Sequence, residues 1–165
     1  MIIFLKKEAG MRTGQEWIAE YSESHRNPTN KLLHWVCVPA IMWTVIALLW
    51  AIPVPEAMQL HPWLNWATIF VVAAQLFYLT FGLAIFIGML IMSVAMLALT
   101  AWLEQVAPFA LWQIAAVVFI VAWIGQFIGH HIEGKKPSFF KDLLFLLVGP
   151  AWEMNYFLRK VHVIS

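Results

Sequence analysis

Charged residues are scarce in this sequence. Of its 165 residues, 12% are charged and 62% are hydrophobic, whereas soluble domains have about 25% charged and about 45–50% apolar residues. Between Trp35 and Leu103 the only Asp, Glu, Lys or Arg residue is Glu56, and residues 105–132 contain none of these four types. Such stretches can lie in the hydrocarbon core of a bilayer without burying a charge. The sequence therefore predicts an all-α integral membrane protein, a single-domain helical bundle (residues 1–165) with four to five spans.

Other features that are rare or missing exclude further classes of protein. A single cysteine, Cys37, excludes an internal disulfide. The net charge of +1 argues against nucleic acid as a partner. Lys6 and Lys7 follow an apolar patch, which is the reverse of the order in a secretory signal. We therefore expect no cleaved signal, and we expect residues 1–12 to be an N-terminal extension.

Helix start and stop signals divide the apolar stretches. A capping box at Thr13–Glu16 and an aromatic stripe ending at His25 predict an interfacial amphipathic helix over residues 13–26. The run 66–103 would be about 57 Å long as one helix, against a hydrocarbon core of about 30 Å, so it should contain two spans. The predicted spans are 35–52, 66–80, 82–103 and 109–130. Residues 139–160, interrupted by Gly149-Pro150, fit either a fifth span or a re-entrant helix pair.

Basic residues predict the orientation of the bundle. They precede the first span and follow the fourth, and the segments 53–65 and 104–109 contain none. The residues concerned are Lys6, Lys7, Arg12, Arg26 and Lys31 before the first span, and Lys135, Lys136 and Lys141 after the fourth. Because cytoplasmic loops are enriched in Lys and Arg, the N-terminus and the histidine-rich segments should face the cytoplasm. The membrane would be a bacterial inner membrane, or the endoplasmic reticulum in a eukaryote.

Four histidines are the best candidates for metal ligands: His25, His34, His130 and His131. On an unbroken helix the first two would lie about 180° apart, but the Asn27-Pro28 break allows both to face one point. Asn30 shares a face with His34, and Gln126 and Glu133 share a face with His130. Imidazole suits iron, zinc, copper or nickel, and an open histidine and carboxylate set favours non-haem Fe(II).

Two other interpretations fit the same histidines, and two interpretations fit the neighbouring lysines. The histidines could be axial ligands of haem in an electron-transfer protein. They could instead be interfacial packing residues in a non-catalytic protein that binds lipid. Lys135 and Lys136 could attract an anionic substrate head or could only flank the membrane for topology.

Two segments of the chain resemble a known family. The motifs are Tyr21-x-x-x-His25-x-Asn27-Pro28-x-Asn30-x-x-x-His34-x-x-x-x-Pro39 and Trp123-Ile-Gly-Gln126-Phe127-Ile-Gly129-His130-x-x-Glu133-Gly134-Lys-Lys-Pro137. They resemble the yeast-type 2-hydroxy fatty acid dioxygenase family of small multi-spanning membrane proteins, over about residues 12–160. This resemblance implies an Fe(II)-dependent enzyme that uses O2 to shorten a 2-hydroxy fatty acid by one carbon.

The resemblance also implies roles for individual residues. His25, His34 and His130 would be the metal ligands, with His131 as a further candidate. The catalytic candidates beside them are Tyr21, Asn30, Gln126 and Glu133. Apart from the resemblance, the position of Lys135 and Lys136 next to His130 makes them candidates for contact with the substrate, and membrane lipid would be the other partner. The oligomeric state is left open.

Overall fold

The computed structural model describes residues 12–137 and 143–164, and within these ranges the chain is helical with no strand. The helices are α1 (Gly14–Ser22), α2 (Pro28–Trp50), α3 (Trp66–Tyr78), α4 (Leu83–Val106), α5 (Leu111–Glu133) and α6 (Phe145–Lys160), with short 3-10 turns at Glu56–Met58 and Leu79–Phe81. The predicted all-α fold is confirmed. Residues 1–11 of the predicted extension, which include Lys6 and Lys7, lie outside the described residues. Lys141 also lies outside them.

Three of these helices, α2, α4 and α5, are long and apolar enough to cross a membrane. They contain 23, 24 and 23 residues, which corresponds to about 35 Å against a hydrocarbon core of about 30 Å. The segment Trp66–Phe81 is a shorter apolar helix. Large apolar side chains such as Ile91 and Val117 are exposed on the outside of the bundle. Because water would penalise so much apolar surface, the architecture fits a membrane protein.

A sharp joint separates α1 from α2. Thr13 and Glu16 form the capping box that begins α1. At the start of α2, the Asn27 side chain accepts hydrogen bonds from the backbone N–H groups of Thr29 and Asn30. Pro28 occupies the first turn, where its missing N–H has no cost. The joint turns the chain between His25 and His34, and this change of direction positions the site described below.

The hydrophobic run after Trp66 is divided in two. Helix α3 ends at Tyr78, a 3-10 turn follows, and Gly82 adopts a φ of +104° before α4 begins. That φ is unfavourable for residues with a side chain, so glycine permits the reversal at this point. The Gln75 amide donates to the Ser93 hydroxyl at 3.0 Å and thereby connects α3 to α4.

The last described segment forms one helix, α6, with Pro150 inside it. Its 16 residues span about 24 Å, which is less than the hydrocarbon core. Helix α6 packs against α1 and α4, while α2 packs along α5 in the most extensive helix pair of the bundle. The α2–α5 pair and the α1–α6 pair together form the walls of the candidate site.

Candidate metal centre

Three histidines from separate segments meet in the interior of the protein. His25 follows α1, His34 lies in the second turn of α2, and His130 lies in the last turn of α5. Their exposed fractions are 1%, 0% and 4%. The ring centroids are 4.4 Å apart for His25 and His34, 5.0 Å for His25 and His130, and 4.8 Å for His34 and His130. One nitrogen from each ring lies within 4.8 Å of the others, so the three can bind one metal ion.

Backbone carbonyls fix the orientation of two of these rings. His25 donates from Nδ1 to the Tyr21 carbonyl at 2.6 Å, and His34 donates from Nδ1 to the Asn30 carbonyl at 2.9 Å. In each case the acceptor is four residues earlier in the chain. A neutral imidazole that donates from Nδ1 carries its lone pair on Nε2. The structure therefore presents Nε2 of both rings as potential metal donors.

The spacing of one pair of these histidine nitrogens fits a metal ion. His34 Nε2 lies 3.2 Å from His130 Nε2. Imidazole nitrogens lie about 2.0–2.1 Å from a bound zinc ion, so two nitrogens on one ion of that size are about 3 Å apart. His25 Nε2 is buried and has no hydrogen-bond partner within residues 12–137 and 143–164. A buried acceptor left unpaired is costly, and a metal ion would satisfy it.

Electrostatics at His25 also favours a metal-binding form. Burial, followed by the proximity of His34, lowers the pKa of His25 to about 3. The ring is therefore neutral at physiological pH, which is the form that binds metal ions. Tyr21 stacks on it with ring centroids 4.0 Å apart. Burial, reinforced by the negative charge of Glu153, raises the pKa of Tyr21, so its phenol stays protonated.

Glu133 connects α5 to the α1–α2 joint. One carboxylate oxygen accepts from the Arg26 N–H at 2.9 Å. The other accepts from the Asn27 N–H at 2.8 Å and from the Asn30 amide at 3.0 Å. These three N–H donors lie on the side of the carboxylate that faces the joint. The Asn30 amide also donates to the Ser24 carbonyl at 3.2 Å. In this structure Glu133 therefore holds the segments that carry His25 and His34.

A glycine in α5 allows the close approach of this network. A Cβ atom at Gly129 would overlap Asn30 Oδ1 and would come within 3.5 Å of the His34 ring. Asn30 is completely buried at this point. Any larger residue at 129 would displace the amide that connects the joint to Glu133.

The other predicted site residues have different surroundings. Gln126 is buried beside His34, and its Nε2 has no hydrogen-bond partner in the described part of the chain. Lys135 donates to the Glu23 carbonyl at 2.7 Å and so connects the end of α5 to the end of α1. Lys136 and His131 are exposed, and His131 is not one of the clustered residues. The structure thus groups three of the four candidate histidines with Tyr21, Asn30, Gln126 and Glu133.

The sequence analysis did not identify Trp152 as part of the site. Its ring lies 5.5 Å from His25 and 5.6 Å from Tyr21, between centroids, and its indole N–H donates to the Ser22 hydroxyl at 2.8 Å. Trp152 thus covers His25 from the side of α6. The sequence offered no local signal for this contact because the packing of residues 139–160 was undecided.

An apolar cavity of about 450 Å³ adjoins the histidines. Helices α1, α2, α3, α5 and α6 all contribute to its wall, and Tyr21, Gln126 and His130 line it at one place. Small-molecule sites typically have volumes of about 300–1,000 Å³ and few polar groups. The cavity is therefore large enough for a ligand that reaches the metal-competent histidines.

The fold and the site define a class: a small helical membrane protein with a buried group of three histidines that can bind a metal ion beside an apolar cavity. The family described as "2-hydroxy-palmitic acid dioxygenase Mpo1-like" matches residues 11–161, and the chain belongs to this family. The chain is also similar to the 2-hydroxy-palmitic acid dioxygenase MPO1 of Saccharomyces cerevisiae, with 27% identity over 143 residues, covering 86% of this chain and 77% of the yeast protein. No solved structure matches the chain. The predicted family is confirmed.

Proposed function

We propose that the protein is an Fe(II)-dependent dioxygenase that shortens 2-hydroxy fatty acids by one carbon. The observation that carries this proposal is the convergence of His25, His34 and His130 at an apolar cavity. A polar metal-binding group next to a hydrocarbon-lined space suits a substrate with an acidic head and an acyl chain. The family membership and the name of the yeast relative support the same reaction.

His25, His34 and His130 would hold the iron. When bound, Fe(II) would supply the activation of O2 beside the substrate head. In the net reaction, the 2-hydroxy acid and O2 would give the acid that is one carbon shorter, with C1 released as CO2 and the remaining oxygen released as water. The carbonyls of Tyr21 and Asn30 keep the imidazoles in the tautomer that binds through Nε2. The neutral state of His25 means that no proton has to be displaced from its Nε2 before the metal binds.

Gln126 and Tyr21 are suited to bind the substrate head. The Gln126 amide is an unpaired donor in the described structure and lines the cavity next to His130. It would donate to a substrate carboxylate oxygen, and the Tyr21 phenol would stay available as a donor because it remains protonated. Trp152 and Tyr21 would exclude water from the face of His25. Lys136, which is exposed, would attract the acid to this end of the protein.

We further propose that this end faces the cytoplasm. Arg26, Lys31 and Lys135 lie in or next to the segments that carry the histidines, which agrees with the enrichment of basic residues on the cytoplasmic side. The membrane would be the bacterial inner membrane, or the endoplasmic reticulum in a eukaryotic host. A 2-hydroxy fatty acid could then lie among the helices while its head reaches the site.

The adjacent histidines 130 and 131 provide a matched pair of variants. The purified protein with Fe(II) and O2 is expected to convert 2-hydroxypalmitate to pentadecanoate, measured by mass spectrometry alongside bound iron. His130→Ala should lose activity and lose most of its iron, because it removes one of three donors. His131→Ala should retain both, because that side chain is exposed.

Two results would overturn the proposal. The first is wild-type protein that binds one iron per chain and does not convert the acid. The second is a Soret band from tightly bound haem, which would favour electron transfer. The 3.2 Å spacing between the Nε2 atoms of His34 and His130 leaves no room for a porphyrin between those rings.

A further inference from the structure

Two stripes of side chains face the cavity, one from each of the helices that pack most extensively. The residues on each stripe recur at helical spacing, which places them on one face of their helix. They are Val38, Ile41, Met42 and Val45 of α2, and Phe119, Trp123, Gln126 and His130 of α5. The cavity therefore follows the α2–α5 pair along the bundle.

The antiparallel packing of these helices gives the cavity a direction. His34 of α2 meets His130 of α5. From that contact, α2 runs eleven residues to Val45, and α5 runs eleven residues in the opposite chain direction to Phe119. Eleven helical residues correspond to about 16 Å. Val45 and Phe119 thus mark the end of the lining that is far from the histidines.

Polarity along the lining is uneven. Tyr21, Gln126 and His130 lie at the histidine end, and the indole N–H of Trp123, one turn before Gln126, is the other polar side-chain group among the described lining residues. Towards Val45 and Phe119, the wall consists of aliphatic and aromatic side chains, with Phe70 of α3 contributing at the side. A space of this kind matches a single-chain amphiphile whose head makes polar contacts and whose tail makes none.

We infer that the cavity binds one extended acyl chain, with its head at His130 and Gln126 and its methyl end at Val45 and Phe119, so that these last two residues set the chain length. This inference rests on the proposed function for the identity of the head group. A zigzag hydrocarbon chain built from bonds of about 1.5 Å advances about 1.25 Å per carbon. A length of about 16 Å therefore holds about 13 carbons beyond the head, which corresponds to acids of about 14–16 carbons.

A photolabelling experiment tests the position of the chain without relying on turnover. The probe is 2-hydroxypalmitate carrying a diazirine near its methyl end, added to the full-length protein in nanodiscs and activated by light. We expect the label in peptides that contain Val45 or Phe119. Label spread over outward-facing residues of α4 such as Ile91 and Val94, as for a bulk lipid, would overturn the inference.

Val45→Phe fills the far end of the cavity and has a matched control in Val36→Phe. Val36 lies on the same helix, is 68% exposed and faces outward. Val45→Phe should suppress the label and lower the ratio of kcat/KM for 16-carbon over 12-carbon acids by about tenfold or more, because one or two methylenes no longer fit. Val36→Phe should change neither. An unchanged chain-length profile in Val45→Phe would contradict the inference.

A second variant enlarges the same end, in case Val45→Phe does not fold. Phe119→Ala should shift the optimum to longer acids and move the label with it, while Phe109→Ala, at an exposed position, should leave both unchanged. Failure of the two proposals can be told apart. Label at Val45 or Phe119 without turnover refutes the proposed reaction and supports the chain site. Turnover with identical chain-length profiles in wild type and Phe119→Ala refutes the chain site alone.

Discussion

Replacing Glu133 with Gln tests whether this carboxylate positions the histidines. Its oxygens accept hydrogen bonds from the N–H groups of Arg26 and Asn27 and from the Asn30 amide. In the variant, one oxygen becomes an NH2 group that faces a donor. Hydrogen bonds to charged groups contribute about 1.5–3 kcal/mol each, and partial exposure of Glu133 favours the lower values. We expect the free energy of unfolding to fall by about 2–3 kcal/mol.

The same variant should weaken metal binding without abolishing it. Loss of a partner that orients a metal ligand typically lowers affinity about 10–100-fold, and Glu133 holds the segments of both His25 and His34. The assays are thermal unfolding in detergent and Fe(II) titration under anaerobic conditions. A decrease of about 2–3 kcal/mol should lower Tm by roughly 4–12 °C in a protein of this size.

Glu104→Gln is the matched control for Glu133→Gln. Glu104 is also a carboxylate near a helix end, and it accepts from the Trp50 indole at 2.8 Å. Trp50 lies sixteen residues after His34 on α2, so metal affinity should not change in this control. If Glu133→Gln bound no metal while its Tm stayed at the wild-type value, Glu133 would be a ligand and the positioning role would be refuted.

Three further predictions follow from the joint and the cluster. The pKa of His25 is about 3 in the folded protein and about 6.5 in the unfolded chain. Between these pH values the unfolded chain binds more protons, so the stability of the protein should fall as the pH drops from about 6.5 to about 3. The variant His25→Gln should show a shallower decline in Tm over the same range. Asn27→Ala removes the cap of α2 and should cost about 1 kcal/mol of unfolding free energy, and an unchanged Tm would contradict this role. Gly129→Ala should displace Asn30 and weaken Fe(II) binding. The control is Gly88→Ala, whose added Cβ meets the Met154 side chain and should affect Tm alone. Equal metal affinities in the two variants would argue against the Gly129 contact.

The convergence of the histidines was predictable because it depends on local signals. The Asn27-Pro28 pair indicates a helix break, and the break removes the angular conflict between His25 and His34. The contrast between His130 and His131 also follows from helix geometry, since adjacent residues point about 100° apart. The sequence did not choose between them as ligands, because the choice depends on which face of α5 packs against α2.

Long-range contacts were not predictable from the sequence. Glu133 falls on the same stripe as His130, which suggested either a metal ligand or a residue that supports the ligands. Its oxygens contact backbone groups more than a hundred positions earlier in the chain, and no local signal in the sequence indicates those contacts. Gly149-Pro150 reads locally as a break, yet α6 continues through it. The cost of Pro150 is local, whereas the packing of Trp152 on Tyr21 and His25 is tertiary and could not be read from the local sequence.

The order of the proposed metal donors along the chain bears on how the protein is made. His25 and His34 leave the ribosome early, and His130 follows 96 residues after His34. Until α5 has been synthesised and inserted, the first two imidazoles have only each other, and the joint lacks the carboxylate that later fixes it. Nascent chains truncated before residue 130 should therefore not retain iron, and loading of the proposed metal would then mark the completion of membrane insertion.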